Sequence, residues 1–203
     1  MLSNGGSSTI SDKNGNLMFY TNGRTIWNKD HDTLKNGDSL NSSGASVQGA
    51  LVVPKPGIPE LYYVLTVNGH DWNSNLGFWY HIFDITKDNG KGEVILKNQF
   101  ICGNVTERLA ATFHANKKSV WIMIHEWDSD KYKAFLLNNS GLDTTPIISS
   151  IGTFHTWITT PHQIYFENER GQMKFSPSGN KLACAIKADG IIDICDFNNA
   201  TGK

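Results

Sequence analysis

No block of lysine or arginine exists anywhere in the 203 residues, and the formal net charge is −1. Without a basic stripe there is no long-range field to gather phosphates, so nucleic acid is not an expected partner. The Lys117-Lys118 pair reads as a solvated turn. No apolar stretch approaches the roughly 20 residues that cross a bilayer as a helix. The start, Met1-Leu2-Ser3-Asn4-Gly5-Gly6, has neither the positive segment nor the apolar run of a secretory signal. Cysteine is scarce too, with three residues, so at most one bridge forms and a disulfide-built scaffold is excluded. Charged residues make up only 18% against 39% hydrophobic, which is the composition of a folded chain and not of a disordered one. No segment longer than a turn or two carries a 3.6-residue period.

Four copies of one phrase are present: a short apolar run, a turn, and a second apolar run. They are TISDKNGNLMFYTN from Thr9, VVPKPGIPELYYVLTV from Val52, TFHANKKSVWIMIHE from Thr112 and KFSPSGNKLACAIK from Lys174. Three of them continue into a further apolar run, FWYHIFDITKDNGKG, KYKAFLLNNSGLD and IIDICDFNNATGK. The copies recur every 40 to 60 residues or so, roughly the period of repeated sheets in a propeller. The runs Leu61–Val67 (LYYVLTV) and Val120–His125 (VWIMIH) are apolar at odd and even positions alike, so both faces of these strands are expected to be covered. Asn14-Gly15, Asn36-Gly37, Asn89-Gly90, Ser178-Gly179 and Asp189-Gly190 supply turns that accept positive φ. Pro54, Pro56 and Pro59 lie between two runs, where a missing N–H harms no ladder. Asn36–Ser46 and the stretch around His70–Asn75 read as exposed loops.

The fold class is therefore all-β and propeller-like: one domain over residues 1–203, with about four blades of antiparallel sheet. Four repeats, the last stopping after its third strand, read as an incomplete ring, a portion of a larger propeller whose neighbours in the parent polypeptide would cover its open edge. For the cysteines two registers of the last hairpin stay open. A two-residue loop at Asp189-Gly190 places Cys184 opposite Cys195, whereas a three-residue loop pairs Ile186 with Ile192 and separates the sulfurs. Cys102 has no evident partner.

Several strings invite chemical readings. Gly37-Asp38-Ser39-Leu40 spells the GDSL motif of a lipase and esterase family, but it follows a polar turn, and the Asp-x-x-His partner of that family is absent from the sequence. His125-Glu126 begins an HExxH string, yet position 129 is Ser and the segment reads as strand. In that strand His125 shares a face with Trp121, Met123 and Trp127, which favours packing; at a ring mouth, His125, Glu126 and Trp127 would instead meet a ligand. Asp12 opens like a calcium loop, but Leu17 and Gly23 stand where Gly and Glu are required, so a hairpin turn is expected. No histidine pair has ligand spacing, and neither a metal nor a cofactor is expected. Of the six tryptophans most lie in apolar runs and read as core, with Trp72, in the loop Gly69-His70-Asp71-Trp72-Asn73, the best candidate for a ligand-facing ring. The candidate ligand-binding residues are thus Trp72, His125, Glu126 and Trp127.

ISDKNGNLMFYTNGRTIWNKDH (Ile10–His31), ALVVPKPGIPELYYVLTV (Ala50–Val67), HANKKSVWIMIHEW (His114–Trp127) and KFSPSGNKLACA (Lys174–Ala185) carry a resemblance that extends in register over nearly the whole chain. In these segments the chain resembles the N-terminal propeller-like region of large secreted surface proteins of the Bacteroidota. Many of those carry PKD-type or other immunoglobulin-like repeats and a type IX secretion sorting domain, and are labelled gliding-motility-associated. FSPSGNKLA is also similar to the FSPDGK phrase of WD40-like and TolB-type propellers. The resemblance implies a secreted or cell-surface location. It departs in lacking the segment that precedes the ISD strand, further blades and the modular tail. The function expected is a non-catalytic scaffold binding a protein or a glycan, with two alternatives: a hydrolase or lyase sited in the channel, and a structural spacer without ligand.

Overall fold

The computed structural model describes residues 5–68, 77–160, 163–165 and 167–203. β1 (Ser8–Ser11), β2 (Leu17–Thr21) and β3 (Ile26–Asn28) form a first sheet, and β4 (Ala50–Pro54), β5 (Leu61–Asn68), β6 (Gly77–Asp84) and β7 (Glu93–Cys102) a second. The third joins β8 (Ala110–Phe113), β9 (Val120–His125) and β10 (Ser129–Asn138), whose outer edge pairs with both β11 (Gly141–Leu142) and β12 (Ile147–His155). After the two-stranded ladder of β13 (Ile158–Thr160) and β14 (Gln163–Tyr165), a fourth sheet holds β15 (Met173–Phe175), β16 (Lys181–Ile186) and β17 (Ile191–Asp196). All pairing between these strands is antiparallel, neighbours follow chain order within each run of three or four, and no sheet closes on itself. Among the described residues no helix is long and apolar enough to cross a membrane.

The stacking follows from the two-residue period of a strand. In β5, Tyr63, Leu65 and Val67 join one apolar cluster with Val120, Ile122 and Ile124 of β9 and Phe135 of β10. The alternate residues Tyr62 and Val64 join another, with Phe19 and Ile26 of the first sheet. β9 repeats the scheme: its even positions 120, 122 and 124 meet the second sheet, while Trp121 and Met123 pack on Met173, Phe175, Leu182 and Cys184 of the fourth. Every residue of β9 is buried, as is all of β5 past Leu61, so both strands are covered on two faces as their sequences predict. The fourth sheet differs. Its face away from the third carries Ile192 and Ile194, 65% and 71% exposed.

The polar run Asn36–Ser46 is a loop, but it is not free. The Asn36 side-chain amide donates to the Val94 carbonyl (2.8 Å), and Lys35 pairs with Glu93 at 3.1 Å. Asn98, at φ 58°, breaks β7, so that its side chain accepts from the Asn41 N–H and donates to the Ser39 carbonyl. Its own N–H donates to Nδ1 of buried His81 (2.9 Å), which leaves Nε2–H to face Thr66 Oγ1. Thr66 in turn donates to the Asn41 carbonyl (2.6 Å). The loop is therefore exposed only in part: Asn36, Asp38, Ser39 and Ala45 face solvent, whereas Leu40, Ser42 and Ser46 are buried. The hairpin register also differs from both sequence alternatives. Ile186 pairs with Ile191 across a four-residue loop, Lys187–Gly190, with Gly190 at φ 65°. Cys184 then lies opposite Asp193 and Cys195 opposite Leu182, and both thiols, like Cys102, are free.

The two-sided burial predicts a sharp contrast between two truncations. Leu65→Ala, at a fully buried position, is expected to cost about 2–5 kcal/mol in urea unfolding, whereas Ile194→Ala should change stability by no more than about 0.5 kcal/mol. Equal effects would contradict the stacking.

Candidate functional site

β4, β8 and β15 are the first strands of the second, third and fourth sheets, and each is an edge strand. β15 lies against β8, and β1 against β4. At the C-terminal ends of β4, β8 and β15 the sheets part around a cavity of about 490 Å³. Val53, Pro54 and Pro56 line it from the second sheet, Ala111, Phe113 and Val120 from the third, and Phe175 and Pro177 from the fourth. Phe113 is 61% exposed there and, with the apolar residues lining the cavity, extends its apolar surface to solvent. The prolines present no N–H, so the strand ends stop without dangling donors. Polar groups are few: the Thr112 and Ser176 hydroxyls and the Lys55 and Lys118 side chains. Neither ammonium has a carboxylate partner among the described residues. No carboxylate, imidazole or thiol is among the described residues that line the space.

The other ends of the same strands are closed by polar side chains. The Gln48 side chain mimics a strand, accepting from the Met173 N–H (2.7 Å) and donating to its carbonyl (3.1 Å). Buried Glu107 accepts from the Val47 N–H (2.8 Å), while its backbone links to Gln48 and Glu169. Next to it, Arg108 is fully buried. Its guanidinium donates to the carbonyls of Asn168, Arg170 and Ala185 and to Nδ1 of His155 (3.2 Å), tying the third sheet to the fourth. Nothing in Thr106-Glu107-Arg108-Leu109 announces a buried cation, because a charged residue ahead of an apolar run ordinarily marks a solvated turn.

Three of the four sequence-derived site residues lie at this closed end. His125 is fully buried, its ring stacked on His155 with centroids 3.6 Å apart and its edge against Tyr132 at 4.5 Å. Trp127 is 1% exposed and packs edge-on against Trp157. Glu126 is held by Lys133 (2.6 Å) and Lys131 (3.7 Å), which keep its carboxyl ionised against partial burial. The packed arrangement is the one observed for His125 and Trp127. Trp72 lies outside the described residues. The cavity residues escape sequence reading because Phe113 and Phe175 sit in runs that look like ordinary strand.

The other strings behave as loops. Ser39 is at φ 54° in an exposed turn, with Asp38 beside Lys97 at 3.6 Å and no imidazole among the described residues bonded to its hydroxyl. The Asp12 carboxylate is filled by the Asn14 and Asn16 N–H groups and the Asn16 side chain, as a hairpin turn requires. No protein-family model matches the sequence, and no curated protein matches it.

Burial sets the protonation of the three enclosed histidines. Desolvation, then Lys97, brings His81 down to about 3; desolvation, then Arg108, brings His155 down to about 3. Burial, with His155 and Arg108 close by, holds His125 well below its usual value. All three are neutral in the fold at pH 7 and bind protons when unfolded, near pH 6.5. Stability is therefore flat above about pH 6.5 and falls as pH drops toward 3, by up to about 1.4 kcal/mol per pH unit for each imidazole. Urea titrations between pH 7.5 and 5 should show that fall, and a level profile would contradict the burial. At pH 7, Arg108→Met should cost about 3 kcal/mol or more, because three carbonyls lose their donor; a loss below about 1 kcal/mol would show that the clamp is not structural.

Proposed function

We propose that the four stacked meanders are an open run of propeller blades, and that the chain is a non-catalytic binding module of a secreted or cell-surface protein. Its seat is the apolar cavity where β4, β8 and β15 end. That cavity carries the reading: it joins three sheets, presents Phe113 to solvent and offers no acid–base pair among its described lining residues. Three features support the propeller reading. Each sheet runs up and down in chain order, the sheets stack face to face, and their first strands meet side by side. The surface location rests on the resemblance of the four repeat segments to Bacteroidota surface proteins. Between the two ligand classes expected, the lining favours protein. Sugars are held by many hydrogen bonds, whereas this cavity is lined mostly by aliphatic carbons, proline rings and two phenylalanines, with only two hydroxyls and two ammonium groups among its described side chains.

The chain should be screened in parallel against immobilised surface-protein fragments and a glycan array. Binding to a protein fragment, weakened at least about tenfold by Phe113→Ser with an unchanged melting midpoint, is the expected result, in line with an interface anchor. Binding that survives Phe113→Ser would place the seat elsewhere, and a glycan-only response would overturn the protein reading.

A further inference from the structure

We infer that the cavity selects an extended segment of a partner protein that sets apolar side chains between the sheets and a carboxylate beside Lys55 and Lys118. This rests on the binding reading above and adds the charge and the form of the ligand. The lining is apolar on all three sides, through Leu51, Val53, Phe113 and Phe175 among others, so the inserted groups are aliphatic or aromatic. The only charges on it are two ammonium groups, with no aspartate or glutamate among the described lining residues. Six of the fifteen lysines, Lys35, Lys97, Lys131, Lys133, Lys181 and Lys187, sit within ion-pair distance of carboxylates, and the rest, Lys55 and Lys118 included, do not among the described residues. Lys55 and Lys118 have no such partner among the described residues, so the cavity rim is locally positive on a chain whose net charge is −1. A carboxylate there gains two cations and displaces no existing ion pair.

The form of the ligand follows from the rim. Pro54, Pro56 and Pro177 remove backbone donors where the strands end, so a partner cannot extend the sheets by strand pairing at these positions. It is held by side chains dropped into the gap, which a segment lying across three sheet ends can do and a compact solute cannot. Phe113 reaches solvent at that gap and offers the ring face for such a side chain.

Two labelled peptides capped at both ends test this on the full chain: a Leu-Phe-Val core flanked by glutamates, and the same core flanked by lysines. The glutamate peptide is expected to bind at least about tenfold more tightly at about 50 mM salt, with the gap narrowing at about 500 mM as screening shortens. The double variant Lys55→Glu/Lys118→Glu should reverse the preference while leaving the melting midpoint in place, since neither ammonium is paired with a carboxylate among the described residues. Equal binding of both peptides, lost together in Phe113→Ser, would overturn the charge selection and leave the seat standing. If neither peptide binds, the ligand assignment falls; the seat falls with it only if Phe113→Ser also spares every protein found in the screen. Binding to phosphatidylglycerol vesicles with neither peptide bound would make the cavity a lipid site and overturn the inference.

Discussion

Two strands, β5 and β9, are buried on both of their faces, and the remaining architecture is arranged around that constraint. Odd-numbered residues of β5 reach the third sheet and even-numbered ones the first; β9 divides its side chains between the second and fourth in the same way. A slip of one residue in either strand would send each side chain to the wrong neighbour, so register is specified from both sides at once. Tyr63 and Leu65 need β9 in place, and Trp121 and Met123 need β16. The sheets are thus held in chain order without a disulfide, by packing that no single sheet provides for itself.

The two ends of the stack answer this constraint differently. Where the chain enters β4, β8 and β15, the backbone turns inward, and its polar groups must find partners away from water. Gln48, Glu107 and Arg108 supply them, at the cost of burying charge. Arg108 is tolerated because carbonyl oxygens surround it, and His125 and His155 are tolerated because they stay neutral beside it. Where the chain leaves the same strands, prolines follow β4 and β15, and the exiting N–H groups of Lys55, His114 and Ser176 bond mainly within their own hairpins. The sheets diverge there and apolar side chains reach the surface. The same three strands thus have a polar-capped, closed end and an apolar, open end.

Much of this is written in the residue pattern. Apolar runs at both parities foretell the two-sided burial of β5 and β9, and Asn14-Gly15, Ser178-Gly179 and Asp189-Gly190 mark turns that form. What escapes is tertiary. β7 is hidden because Lys97-Asn98-Gln99 breaks its alternation with a left-handed residue that exists to serve His81 and the Asn36–Ser46 loop. The last hairpin takes a four-residue loop, since its register answers to the third sheet as well as to its own turn. His125 and Trp127 draw attention by residue type, yet they are interior. Phe113, Lys55 and Lys118 are unremarkable in sequence and become a site only when three sheet ends converge. A cavity lined by residues 55, 113, 118 and 175 has no local signal to find.

The claim beneath all of this is that the second and third sheets fold as one interlocked unit, and native-state hydrogen exchange tests it residue by residue. The account predicts that amides of Leu61–Asn68 and Val120–His125 are the slowest in the chain and exchange together, through global unfolding, while those of β17 at the edge open earlier. If either β5 or β9 exchanged through a separate, low-energy opening, the sheets would be independent leaves, and the stack described here would be contradicted.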